Sequence, residues 1–185
     1  VKKEPVSVKK ASPLKQTVHM IAYFLSIIVL ALLINTFVIG NVRVEGGSML
    51  NTLKEDDRLV LEKITYYHEN PSRYDIVVFK PTAYPGKYFI KRVIGLPGET
   101  IQVMNGDVYI NGKKIKENYL DQKTVDGGLA AQPIKLGEDE YFVMGDNREI
   151  SRDSRREDVG LIHKSQIQGK VVCRFWPLSK MGSVK

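Results

Sequence analysis

The chain has 185 residues, is 43% hydrophobic, and carries a single cysteine and a net charge of +7. That length and apolar content fit one packed domain with an appendage, and the lone Cys173 excludes an intrachain disulfide and any multi-cysteine zinc site. The charge does not point to nucleic acid: +4 of the +7 sits at the start, where Lys2, Lys3, Lys9, Lys10 and Lys15 face only Glu4, whereas a nucleic-acid binder concentrates charge on its folded part.

From Val18 to Val42 no residue is charged. A run of about 25 residues is long enough to span a bilayer with some tilt. It is longer than the ~7–15 residues of a secretory leader's apolar stretch, and FVIGNVRVEGG after it offers no small-x-small cleavage site. It is also apolar on all sides, unlike a half-buried helix of a soluble fold. The reading is an uncleaved, single-pass anchor in the lipid bilayer of the cell membrane. Lysines before a first span stay in the cytoplasm, so residues 1–17 are expected as a cytoplasmic tail, 18–42 as the anchor and 43–185 as an extracytoplasmic domain. No second apolar span follows, which leaves the chain's end outside.

After Arg43 the apolar pattern shifts to period 2. Short runs rich in β-formers appear at RLVLEKI, DIVVFK, YFIKRVI, TIQVM, VYING, YFVMGD and GKVVCRFW. Turn residues separate them, and the NG pairs in MNGDVYINGKKI predict tight hairpins. Strands this short and closely spaced predict a mainly β, antiparallel sandwich or barrel. DVGLIHKSQI is expected to hold a short helix or turn, residues 120–136 a surface loop, and the tail from Pro177 a frayed end. Cys173, in KVVCRFW, reads as strand core. Phe175 and Trp176 suit either core packing or the membrane interface.

The candidate chemistry starts at Lys91, a lysine inside the apolar run FIKRVIG. Alternation along a strand puts Lys91 on one face with Phe89 and Val93, and Arg92 on the other with Ile90 and Ile94. An ammonium on an apolar face is costly unless it is paired or loses its proton, and a neutral lysine is a general base. Alone, the residue reads as one more lysine reaching for water. No HExxH, P-loop, GxGxxG or metal-spaced Cys/His set is present, and His19, His68 and His163 sit in an apolar span, a polar turn and GLIHKSQ. A Ser-His-Asp triad therefore has little support. Ser48, after two glycines in GGSMLNTL, is a hydroxyl that a neutral lysine could activate. GDNREISRDSR crowds Asp146, Arg148, Ser151, Asp153, Ser154 and Arg155 into a segment suited to holding geometry, with Asp153 and Arg155 placed to pair with each other or with neighbours.

Together, SMLNTL from Ser48 to Leu53, KRVIGLPGE from Lys91 to Glu99 and GDNREISRDSR from Gly145 to Arg155 resemble the bacterial type I signal peptidases of the compact Gram-positive kind. The family boxes read SMxPTL, KRVIGLPGD and GDNRxxSxDSR. The resemblance covers the anchor and nearly all the folded part. It implies an antiparallel β-barrel-like fold with one transmembrane helix, and a cofactor-free, metal-free serine endopeptidase that removes signal peptides from exported preproteins. It implies Ser48 as nucleophile, Lys91 as general base, Ser151 as a hydrogen-bond partner that orients the lysine, and Asp146, Asp153 and Arg155 as support. The implied substrate lies as an added strand with small residues at −1 and −3, and the chain works as a monomer. Two positions depart from the family. Asn51 stands where the serine box has proline, which predicts a looser turn after Ser48. Gly46 stands where some members carry a hydroxyl that completes the oxyanion hole, which leaves the Ser48 N–H as the main donor. Two other readings are a non-catalytic anchored homologue and a self-cleaving repressor; the span occupies the place where the latter would carry a DNA-binding domain.

Overall fold

A computed structural model describes residues 13–184; the leading part of the basic tail lies outside them. The chain divides into two compact units that meet after Phe37.

The first unit is a helix. α1 runs over Pro13–Leu33 and continues as a π-helical turn, Ile34–Val38. Its large side chains are exposed all round, Leu25 at 56% and Ile28 at 55% among them. Leu14–Val38 is long and apolar enough to cross a membrane. The uncharged run does not stay helical throughout: Ile39–Arg43 is a strand, β1.

The second unit is antiparallel β. In chain order its other strands are β2 (Arg58–Glu62), β3 (Ile76–Phe79), β4 (Phe89–Gly95), β5 (Thr100–Met104), β6 (Asp107–Ile110), β7 (Lys113–Lys114), β8 (Ile134–Lys135), β9 (Glu140–Met144), β10 (Ile162–His163), β11 (Ile167–Trp176) and β12 (Gly182–Ser183). One four-residue helix, α2 (Thr65–His68), follows β2. The described residues build two sheets. The larger curls into a half-barrel with strand order β1-β2-β11-β3-β4-β9-β10, and β12 pairs with β11; the smaller has the order β7-β6-β5-β8.

Both NG pairs turn as expected. Asn105 and Gly106 sit at φ 53° and 82°, and Asn111 and Gly112 at 50° and 75°, the doubled positive φ of the two-residue turn that matches strand twist. The hairpins β5–β6 and β6–β7 follow directly. Alternation along β5 and β6 buries Ile101, Val103, Val108 and Ile110 against Ile94, Phe142 and Met144. A second core holds Met49, Leu53, Leu59, Leu61, Ile76 and Val78. A third, including Val77, Phe79, Val93 and Val143, lies on the Lys91 face of β4.

Two expectations need correction. Residues 120–136 lie mostly at the surface, as expected, but not as a plain loop: Thr124, Ala130 and Leu136 are buried and pin the segment, and Ile134–Lys135 adds β8 to the edge of β5. Gly128, at φ +50°, comes so close to Arg155 that a Cβ would lie 2.2 Å from the Arg155 carbonyl oxygen. The tail from Pro177 is not frayed either. It turns back through residues 178–180 so that Cys173 and Arg174 pair with Ser183 and Gly182. Backbone hydrogen bonding to the exposed side of β11 drives this return, and it leaves no periodic mark in the sequence. DVGLIHKSQI yields β10 followed by a single 3-10 turn, Lys164–Gln166.

Candidate active site

The serine box forms a tight turn between β1 and β2. Met49 and Leu53, four apart and fully buried, fix it into the second core, and Leu53 N–H donates to the Met49 carbonyl at 2.8 Å. Ser48 is left half-buried at the rim. Asn51 takes φ +48°. That left-handed conformation is one asparagine tolerates and one closed to proline, whose ring fixes φ near −65°. The turn is thus built around asparagine, in a conformation that proline cannot take. Gly46, at φ +78°, has open space where a side chain would stand, so no hydroxyl is offered there.

Lys91 comes from β4, where it pairs across from Val77. It is 4% exposed. Its Nζ lies 2.8 Å from Ser48 Oγ and donates to the Ile90 carbonyl at 2.9 Å. The Phe89 ring covers it, with 5.2 Å between Nζ and the ring centroid, and Val93 on the same face is fully buried. Burial drives its pKa from the ordinary 10.5 to about 8, against the pull of Asp153 and Asp146, which raise it. No carboxylate touches the Nζ among the described residues.

The third segment follows β9. Asp146 forms a fully buried ion pair with Arg92, receiving Nε at 2.9 Å and a second guanidinium nitrogen at 2.6 Å. It also accepts the Thr52 hydroxyl, which ties the serine box to the same carboxylate. Asp153 accepts the Gly145 N–H at 3.0 Å and pairs with Arg155 through Nε at 2.8 Å. Arg155 reaches on to the carbonyls of Arg148 and Asp126. Asn147 holds the nucleophile's backbone: its N–H donates to the Ser48 carbonyl at 3.1 Å and its side-chain amide to the Gly47 carbonyl at 3.2 Å. Gly145 makes this approach possible, since a Cβ there would lie 2.4 Å from the Ser48 oxygen and 2.2 Å from Ser151 Oγ.

All six expected residues therefore converge on one place, with one difference in detail. Ser151 is buried beside Ser48, but its hydroxyl has no hydrogen-bond partner among the described residues, so it does not bond the lysine. Its contact is with Gly145.

Sequence reasoning missed Arg92 and Asn147 as parts of the site, and named Arg148 only as one member of the charged segment. Arg148 is buried, paired with Glu117, bonded to the Thr124 hydroxyl at 2.7 Å and donating to the Gly145 carbonyl at 3.1 Å. The usable signal for Arg92 was its address: an arginine on the apolar face opposite Lys91 needs a buried carboxylate, and Asp146 was available.

A groove of about 920 Å³ opens over Ser48 and Lys91. One wall is the segment from Gly40 to Gly47, the other Tyr88–Lys91 with Ile150 and Arg152. β9 pairs with β4 only from Arg92 onward, so the Phe89–Lys91 backbone faces this groove. No cluster of His, Cys, Asp or Glu able to hold a metal occurs among the described residues. None of the three histidines bonds Ser48 or Lys91; His163, at the end of β10, faces Asp139 at 3.8 Å.

Comparison with known proteins gives the family. The family described as signal peptidase, peptidase S26, matches residues 17–176. A signal peptidase I from Leptolyngbya laminosa is 43% identical over 95% of this chain and 86% of its own. The signal peptidase I P of Bacillus subtilis subsp. natto is 41% identical over 85% of this chain and 88% of its own. A crystal structure of a signal peptidase I from Enterococcus faecalis V583 aligns at a TM-score of 0.47 with 34% identity, over 55% of this chain and 97% of that one. The chain belongs to the signal peptidase family, peptidase S26, and is a serine endopeptidase.

Proposed function

We propose that this protein cleaves signal peptides from exported preproteins after small residues at −1 and −3, with Ser48 as nucleophile and neutral Lys91 as general base. One observation carries the reading: a hydroxyl 2.8 Å from the nitrogen of a lysine that is 4% exposed and has no carboxylate against it. Lys91 takes the Ser48 proton as the serine attacks the scissile carbonyl. The resulting lysine ammonium protonates the leaving amine. Water, deprotonated by the same lysine, then hydrolyses the acyl-serine. The Ser48 N–H supplies the oxyanion donor, since Gly46 brings no hydroxyl.

The substrate adds as an extended strand between the Gly40–Gly47 wall and the Tyr88–Lys91 wall, using backbone hydrogen bonds. Asp146, Asp153, Arg155 and Ser151 hold the serine turn and the lysine strand in register. α1 anchors the chain in the cell membrane, the basic tail is cytoplasmic, and the β unit works outside as a single chain. Every residue in this scheme comes from one protomer.

The test is cleavage by purified full-length protein in detergent of a preprotein ending its signal in Ala-x-Ala. Cleavage that disappears in Ser48→Ala and in Lys91→Ala is expected. Full activity in Lys91→Ala would remove the lysine from the mechanism.

A further inference from the structure

Lys91 is shielded by Phe89, and Phe89 is itself held in place. Its ring lies against Phe79 at 6.0 Å and against Tyr84 at 5.3 Å with 31° between planes. Phe79 is the cross-strand partner of Phe89 within the sheet. Tyr84 belongs instead to the β3–β4 connection, and it is tied down from outside that connection. Its hydroxyl donates to Asp158 and accepts from Arg152 at 2.8 Å. The Arg152 guanidinium also lies 5.4 Å above the Tyr84 ring. Asp158 is held in turn by Arg152 at 3.5 Å and Arg156 at 3.3 Å.

Arg152 lies inside GDNREISRDSR and Asp158 three residues beyond it, so this polar cluster joins the β3–β4 connection to the segment that carries Asp146 and Asp153. From it a short chain of contacts runs inward: Asp158 and Arg152 to the Tyr84 hydroxyl, Tyr84 to Phe89, Phe89 to Lys91. None of the three outer residues touches Ser48 or Lys91.

We infer that Tyr84 is a positioning residue, clasped by Asp158 and Arg152 so that its ring presses Phe89 over the Lys91 amine and keeps water from it. The inference rests on Lys91 being the base. The charges around the lysine are Asp153 and Asp146, both of which favour its ammonium form; they are the same in every variant used below. Around Tyr84 the charges are Asp158, Arg152 and, through Asp158, Arg156. The tyrosine's own ionisation is raised above the usual 10 by its hydrogen bond to Asp158, so the clasp stays protonated across the working range. When the clasp opens, Phe89 gains freedom, water reaches the amine, and the ammonium form becomes easier to keep. The acidic limb of the pH–rate profile then moves toward higher pH.

The experiment measures kcat/KM against pH for full-length protein in detergent, on a preprotein substrate, for wild type, Tyr84→Phe and Asp158→Ala. Tyr84→Phe changes no charge and keeps the ring. An upward shift of the acidic limb by roughly half a pH unit to one unit in both variants is expected. A merely structural role would lower rate or melting temperature at all pH values and leave the limb where it is. An unmoved limb in Tyr84→Phe overturns the inference. Should that variant not fold, as read by its melting curve, Asp158→Ala decides by the same criterion. Failure of the dyad itself looks different: wild type would then show no limb near pH 8, or Lys91→Ala would remain active.

Discussion

Lys91 and Arg92 are neighbours on one strand, equally buried, and treated in opposite ways. Arg92 meets a carboxylate through two hydrogen bonds, has a tyrosine ring 4.0 Å from its guanidinium, and donates to the Tyr74 carbonyl. Lys91 meets a hydroxyl, one carbonyl and the face of a phenyl ring. Arginine cannot shed its proton, so its burial demands a permanent counter-charge; lysine can, so withholding the counter-charge makes it a base. The pleat lets one strand do both: the odd face keeps the proposed base under apolar cover and the even face, through Arg92 and Asp146, bolts the serine box and the GDN segment to the sheet. Burial alone does not mark a functional cation. What a buried cation is denied marks it.

The contrast breaks most sharply on activity. Lys91→Ala or Ser48→Ala is expected to lower kcat by about 10⁴-fold or more, while Arg92→Lys, which keeps a charge beside Asp146, loses the paired geometry but not the base. Cleavage assays on folded variants separate these. On stability the ranking reverses. Asp146→Ala strands the Arg92 guanidinium and releases the Thr52 hydroxyl, with an expected loss of about 3–5 kcal/mol in denaturant unfolding.

Lys91→Met should go the other way. The folded-state pKa lies near 8 and the ordinary value at 10.5, so between them the unfolded chain binds more protons and stability rises with pH. The penalty of the buried ammonium is complete below about pH 8. Replacing it with methionine at pH 7 is expected to stabilise the protein by about 1–3 kcal/mol, net of the hydrogen bonds lost. That gain should shrink toward pH 10, which urea titrations at two pH values will read.

The smallest effect concerns the turn that presents Ser48 to this strand. Asn51→Pro forces a residue at φ +48° out of its conformation and should cost about 1–3 kcal/mol. Asn51→Gly should stay within about 0.5 kcal/mol of wild type. A proline variant as stable as the parent would show that the turn has a second, equally good form.

Much of this was legible because the relevant signals are local. NG between alternating apolar runs dictates its turn, and period-2 patterning dictates β2 to β6 and β9. Ser48, Lys91 and the GDNREISRDSR segment stood out by residue type and setting. What escaped is decided at a distance. Ile39–Arg43 is apolar enough to pass for more helix, and only its five pairings with β2 make it a strand. Gly182–Ser183 becomes a strand because β11 offers it hydrogen bonds. The partner of Arg92 lies 54 residues away, a separation on which no spacing rule operates. Ser151 shows the reverse limit: the resemblance implies a bond to the lysine, and its hydroxyl instead lies against Gly145 without a partner among the described residues.

The strand order has one further consequence. Ser48 rides on β1–β2 and Lys91 on β3–β4, and in the large sheet these two pairs share no edge; β11 alone lies between them. A growing chain that has already delivered both residues still lacks the strand that zips their halves together, because β11 begins at Ile167. The meeting of Ser48 and Lys91 in the sheet therefore waits on a strand made well after either residue.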